Sequence, residues 1–267
     1  MIARLPTVFL GHGNPMNALA NNAWTEAWRR LGREIVAQYG PPRAVLCISA
    51  HWYGPGCGVT VMGRPRTIHD FGGFPQPLFE VQYPAPGEPV IARRVRSLLD
   101  ALPEPVDVPL DEQWGLDHGA WSVLRHVFPQ ADVPVVQLRI DSSRPPAWHY
   151  ALGRALAPLR DEGVLLLGSG NLVHNLRQYD WGNPERPPWD WAARFEARAK
   201  KWIAVREHTP LIDYEQLGQD ALLSIPTPEH YLPLLYALGA QRAGETVMFP
   251  VEGVDGGGIS MLGVRVG

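Results

Sequence analysis

The sequence has only two cysteines, Cys47 and Cys57, in 267 residues. Two are too few for a disulfide framework, and Cys47, set in an apolar run, reads as a small core residue. The expected setting is a reducing cytoplasm. No stretch approaches the roughly 18 consecutive apolar residues of a membrane span. The opening segment Met1–Pro15 has one arginine and a short apolar stretch but no long hydrophobic core or cleavage pattern, so no signal peptide is expected. A surplus of positive charge is missing as well: the formal net charge is −3 and the pI is near 6.3. Without a basic excess to neutralise phosphates, nucleic acid is not an expected partner.

Several short chemical motifs are also absent. There is no His-Glu-x-x-His and no Cys-x-x-Cys, so no compact zinc motif stands in the chain. Gly168-Ser-Gly170 lacks the Gly-x-Ser-x-Gly spacing of a nucleophile elbow. Gly11-x-Gly13 lacks the third glycine of a dinucleotide fingerprint. The run Gly256-Gly-Gly258 joins two late apolar segments and reads as a hairpin rather than a phosphate cradle.

What is present is a globular composition, 45% apolar and 19% charged, on a chain long enough for one sizeable core. Residues 1–267 read as a single domain, with no repeat or dividing linker. The 10 Trp, 27 Pro and 27 Gly suggest shaped loops and a site with aromatic walls. Apolar, β-branched runs bounded by Gly or Pro predict strands at Thr7–Leu10, Ala44–Ser49, Val59–Met62, Val135–Ile140, Val164–Leu167, Thr246–Val251 and Ile259–Val266. Helical patterns lie at Trp24–Gln38, Pro89–Leu102, Gly119–Phe128, Pro146–Arg160, Trp189–Val205 and Pro228–Leu238. Ser142 and Ser143 are the expected N-caps of the fourth. The alternation predicts a mostly parallel sheet covered on both faces, made mixed by an antiparallel pair of late strands.

Nine histidines remain to be sorted. His12, His51 and His174 each follow a predicted strand, and in an open α/β sheet ligands bind outside the carboxyl ends of the strands. His118 and His230 open predicted helices, where loose N–H groups and positive potential suit an oxygen-bearing ligand. A lone loop histidine is ordinarily a hydrogen-bonded structural residue. Five at element ends point instead to a shared metal or acid/base site, since neutral imidazole is a common metal ligand. His69, in an aromatic, Gly-rich loop, is intermediate between substrate wall and tight turn. His126, His149 and His208 read as ordinary structural residues.

The segments Gly11-His-Gly-Asn-Pro-Met16, Ser49-Ala-His-Trp52, Thr67–Pro75, Trp114-Gly-Leu-Asp-His-Gly-Ala-Trp121, Gly168-Ser-Gly-Asn-Leu-Val-His-Asn175 and Pro226-Thr-Pro-Glu-His-Tyr-Leu-Pro233 resemble, in order and nearly end to end, the 4,5-DOPA extradiol dioxygenase branch of the class III ring-cleaving dioxygenases. The resemblance implies a three-layer α/β/α fold with a mixed central sheet. It implies a non-haem Fe(II) centre that cleaves a DOPA-like catechol with O₂ beside its two hydroxyls, and Zn(II) as a possible metal of the isolated protein. On the same ground His12, His51 and His230 take the metal-ligand positions and His118 the proton-handling one. His174 takes a position with two roles, further metal ligand or acid/base.

Class III enzymes more generally set two histidines and a carboxylate on iron. Here Glu229 adjoins His230, and helical neighbours point about 100° apart, so one of the two must be chosen; His230 is the choice. Trp52, Phe71, Phe74, Trp114 and Trp121 are the candidate walls for a flat ring, and Arg66 and Arg177 the candidate partners for a substrate carboxylate. A zinc hydrolase built on the same histidines is the alternative function, and a metal-storing protein a third.

Overall fold

The structure, a computed structural model, describes residues 3–267, so Met1 and Ile2 of the opening segment lie outside it. Six strands form the central sheet: β1 (Thr7–Gly11), β2 (Ala44–Ser49), β3 (Val135–Gln137), β4 (Val164–Gly170), β5 (Val247–Val251) and β6 (Gly263–Val266). Their order is β3-β2-β4-β1-β6-β5. The first four run parallel, β6 is antiparallel to β1, and β5 is antiparallel to β6. The sheet is therefore mixed, as the late strand pair predicts.

Side chains alternate across a strand, and the buried strands here use both faces. Val8 and Leu10, Val45 and Cys47, and Leu165 and Leu167 point to one layer, packed against α1 (Ala23–Tyr39) and a later helix, His118–Val127. Phe9, Leu46, Ile48, Val164 and Leu166 point to the other. That second layer consists of the helices Pro89–Asp100, Pro146–Leu156, Asp190–Ala204 and Leu232–Gly239. In chain order these five are α2 (Pro89–Asp100), α3 (His118–Val127), α4 (Pro146–Leu156), α5 (Asp190–Ala204) and α6 (Leu232–Gly239). Two cores on opposite faces of one sheet make the three-layer α/β/α architecture.

Several boundaries differ from expectation. Val59–Met62 pairs only as Val59–Thr60, against Leu110–Asp111. Val135–Ile140 divides: β3 ends at Gln137, and Ile140–Asp141 leaves the sheet to pair with Tyr53–Gly54. Ile259–Val266 divides likewise, Ile259–Ser260 closing a small hairpin with Val254–Asp255 over the three glycines. Ser142 and Ser143 cap nothing. The N-cap of α4 is Pro145, without a side-chain bond, and the Ser143 hydroxyl instead donates to Asp141 at 2.7 Å.

Four parallel strands put four carboxyl ends on one edge of the sheet. β1, β4 and β2 are adjacent there, so His12, His174 and His51, each a few residues past a strand end, start from neighbouring positions.

Candidate functional site

His12 leaves β1 directly, its backbone N–H donating to the Gly170 carbonyl at 2.9 Å. His51 leaves β2 through a turn in which its N–H reaches Ser49 Oγ at 3.3 Å. His118 is the first residue of α3, whose N-cap, Asp117, accepts from Ala120 N–H at 3.0 Å. His230 lies in the turn just before α6, which starts at Leu232 rather than at Pro228. Its carbonyl accepts from Asn171 N–H at 2.8 Å, against the end of β4. A Cβ on Gly170 would come within 2.1 Å of that carbonyl oxygen, so glycine is what lets the His230 turn lie on the strand.

These elements bring four imidazoles together. The ring centroids of His12 lie 5.0 Å from His51, 5.3 Å from His230 and 5.8 Å from His118. His174 stacks on His230 with centroids 3.5 Å apart and planes 6° from parallel. Ligand atoms of His12, His51 and His230 all lie within 4.8 Å of one another. Two further trios satisfy the same distance: His51, Asp70 and His118, and His174, Glu229 and His230. Among the described residues none of these clusters joins His174 to His12 or His51.

Proton positions follow from the partners. Ser169 donates its hydroxyl hydrogen to the Gly119 carbonyl at 2.5 Å. Its oxygen, 3.1 Å from His12 Nδ1, is therefore an acceptor, which puts the His12 proton on Nδ1 and leaves Nε2 bare. Glu229 Oε1, 3.1 Å from His230 Nδ1, does the same for His230. His51 turns Nδ1 toward Asp70 Oδ2 at 3.4 Å and Nε2 toward His12 Nε2 at 3.2 Å. With His12 Nε2 bare, His51 Nε2 either donates a proton to it or, deprotonated, faces a cation that both nitrogens share.

The electrostatics keep four of the rings neutral. Burial, then the neighbouring imidazoles, holds His12 and His230 well below the usual histidine range. Burial lowers His51 to about 3 and His174 to about 4. Asp70 is the anion of the group. Burial opposes its ionisation, but hydrogen bonds from His118 and the electrostatic interaction with the His118 and His51 imidazoles outweigh it and hold its carboxyl below the ordinary value. Its Oδ1 accepts from His118 N–H at 2.8 Å and its Oδ2 from His118 Nδ1 at 2.9 Å. His118 thus carries a proton on Nδ1.

All five histidines line one cavity of about 220 Å³. That is smaller than the roughly 300–1,000 Å³ of sites for drug-sized ligands, and it suits one small ring. Its other walls are largely apolar: Phe71, Phe74, Leu176, Tyr179, Trp181 and Ile259.

The sequence-predicted walls are met in part. Phe71 and Phe74 line the cavity, whereas Trp52 and Trp114 stack on each other outside it, 5.5 Å apart and 5° from parallel. Trp121 is fully buried, its Nε1–H donating to the Ile68 carbonyl. His69 is spent on the Val81 carbonyl at 3.0 Å and lies behind the wall. Arg66 faces a separate shallow pocket with Arg64 and Glu112, and Arg177 is exposed outside the cavity. Asp70, Ser169, Tyr179 and Trp181 belong to the site without having been singled out by sequence. The loop containing Asp70, Thr67–Pro75, stands out in sequence for its aromatics, its glycines and its family resemblance, and not for its aspartate.

Comparison with known proteins places the chain in a family. Residues 5–254 match the family described as the catalytic LigB subunit of aromatic ring-opening dioxygenase. The chain is 49% identical, over 99% of its length and 95% of the relative's, to the 4,5-DOPA dioxygenase extradiol of Escherichia coli (strain K12). It is 39% identical to the protein of the same name from Beta vulgaris, over 90% of this chain and 87% of that one. Among solved structures, an uncharacterized protein of Escherichia coli K12, JW3007, superimposes with a TM-score of 0.83 at 46% identity, covering 99% of this chain and 100% of that one.

Proposed function

The chain belongs to the catalytic LigB subunit family of aromatic ring-opening dioxygenases, and from this premise we propose that His12, His51 and His230 hold its metal and that its substrate is a catechol, opened beside the two hydroxyls. Membership makes it an extradiol ring-cleaving dioxygenase. The observation that carries the metal assignment is the convergence of three imidazole nitrogens, with the second nitrogen of His12 against Ser169, that of His230 against Glu229 and that of His51 3.4 Å from Asp70. Metal-bound histidines ordinarily have such a partner, which fixes tautomer and orientation.

The donor set fits a borderline divalent cation. Glu229 is turned to the rear of His230, so the site offers three neutral imidazoles and no carboxylate, unlike the two-histidine, one-carboxylate pattern. Iron(II) is the metal this reading assigns to turnover, with zinc able to occupy the same nitrogens. When bound, iron supplies the template and electron path that bring catechol and O₂ into contact.

The remaining residues handle the ring and its protons. His118 faces the cavity and, through Nε2, takes a proton from a catechol hydroxyl as general base. Asp70 holds the other imidazole proton and stabilises the cation formed, as the aspartate of a catalytic triad does. His174, stacked flat on His230 and outside the His12–His51–His230 trio, is assigned to acid/base or substrate-orienting work rather than to the metal's first shell. Phe71 and Phe74 exclude water from the ring. DOPA, which names the relatives, is the first compound to test.

The test is oxygen uptake by the full chain after anaerobic Fe(II) loading, across a panel of catechols. Uptake dependent on both iron and catechol, with a coloured ring-opened semialdehyde as product, is the expected result. No uptake on any catechol at verified iron occupancy would refute the reading and favour activation of water at the same histidines.

A further inference from the structure

Ser169 lies at the carboxyl end of β4, in register with Ser49 on β2 and with Leu10 on β1. It is fully buried. Its hydroxyl has two partners among the described residues, and they belong to different parts of the site. One is His12 Nδ1 at 3.1 Å. The other is the Gly119 carbonyl at 2.5 Å, in the first turn of α3 and one residue past His118. A carbonyl cannot donate, so the serine hydrogen must lie between these two oxygens, and only a lone pair is left for His12. One hydroxyl therefore decides which nitrogen His12 presents to the cavity and holds the turn that carries His118.

That turn sits on the strand ends with little slack. A Cβ on Gly119 would come within 2.5 Å of Ser49 Oγ and 2.8 Å of His51 Cδ2. Ser49 donates to Asp117 Oδ1, the cap of α3, at 2.6 Å. Two buried hydroxyls on adjacent strands thus grip the same turn, but only that of Ser169 also reaches an imidazole ring.

His12 has no second acceptor behind it. His51 can hold a proton on Nδ1 toward Asp70, and His230 toward Glu229. Without the serine oxygen, a proton on His12 Nδ1 would be buried and unpaired, which is penalised. It would move to Nε2, which lies 3.2 Å from His51 Nε2 and can donate to it. That bond would close the face that a metal needs.

We propose that Ser169 is a positioning residue for both halves of the reaction: it presents His12 to the metal and, through Gly119, sets the place of His118. This rests on the dioxygenase reading and its metal assignment.

The test uses the full chain, isotope-labelled at the histidine nitrogens and read by NMR. In the metal-free wild type the His12 ring, assigned by its loss in His12→Gln, should be protonated on Nδ1 and bare on Nε2. A His12 protonated on Nε2 there would overturn the proposal whatever the variants do. Ser169→Ala should move the proton to Nε2. It should also weaken zinc binding in chelator competition by about 10–100-fold, the effect of a lost ligand partner. At saturating Fe(II), its kcat for DOPA should fall by about tenfold or more with KM little changed, because His118 is misplaced. Ser169→Thr keeps the hydroxyl and should retain the wild-type proton position and most of the zinc affinity. Ser122→Ala removes another buried hydroxyl of α3, one without a partner, and should change neither. Wild-type zinc affinity in Ser169→Ala would overturn the proposal, and so would wild-type kcat at full iron occupancy. A wild type that consumes no O₂ on any catechol would remove the dioxygenase reading alone, since proton position and zinc affinity still decide whether Ser169 presents His12.

Discussion

Asp70 is a side chain on which two imidazoles depend. It fixes the proton of His118 and stands behind His51, so its carboxylate links the proposed base to a proposed metal ligand. Asp70→Asn would place an amide N–H donor where an acceptor is needed and favour the His118 tautomer with its proton on Nε2. The expected loss in kcat is about 10²–10⁴-fold, the scale of a general base. Metal affinity should weaken by the roughly 10–100-fold typical of a lost ligand partner. Because both residues act through one proton, the His118→Ala/Asp70→Asn double variant, assayed metal-replete, should be no slower than His118→Ala alone. Additive losses would separate the two. His174→Gln should keep most of its iron while kcat drops by about 10² or more. A variant that purifies without metal would make His174 a ligand.

At this scale the sequence was legible where chemistry sits at an element end, which is why all five histidines could be picked out. It was illegible where a partner arrives from elsewhere in the chain. His118 and Asp70 are 48 residues apart, and His12 and Ser169 are 157 apart. Nothing local to either member of these pairs announces the other. Trp52, Trp114 and Trp121 failed as walls because adjacency to a motif says nothing of which way an indole points.

Among the elements, the parallel strands were readable from apolar runs, because both faces of each are buried. Their ends were not, since the apolar residues Val136, Leu138 and Ile140 keep alternating while the pairing moves from the main sheet to Tyr53–Gly54. The junction of β4 with the turn before α6 is the sensitive one. Gly170→Ala would drive a methyl into the His230 carbonyl and displace the Asn171 bond that fixes the turn. It should cost about 1–3 kcal/mol of stability, as an overpacked site does. It should also weaken metal binding by at least about 10-fold, comparable to losing a ligand's support. Chelator competition reads the second effect. Unchanged metal affinity would mean that the His230 turn is positioned from α6 alone.

For the whole molecule, buried neutral histidines set the response to acid. His149 and His208, both away from the metal site, are lowered by burial to about 4. His149 accepts from Tyr236 Oη at 3.0 Å through Nδ1, a bond that protonation would reverse, leaving the Tyr236 hydroxyl hydrogen without that acceptor. The unfolded chain takes up protons near the ordinary histidine value of about 6.5, the folded chain only near 4. Stability is therefore full above about 6.5 and is lost progressively as pH falls toward 4. For the fully buried His149 the loss is on the order of 3 kcal/mol. The urea midpoint of the metal-free chain should fall across that interval, and less steeply in His149→Gln. A midpoint independent of pH between 7 and 4.5 would contradict this.

The central claim concerns the whole arrangement: the carboxyl edge of the sheet and the turn before α6 together deliver three imidazole nitrogens to one cation. Anomalous diffraction from crystals grown with zinc or, anaerobically, with iron tests it most directly. The predicted result is a single strong peak about 2.0–2.2 Å from Nε2 of His12, His51 and His230, with Glu229 behind and not touching it. A peak held instead by His174, Glu229 and His230, or by His51, Asp70 and His118, would contradict the assignment and the proton-handling roles built on it.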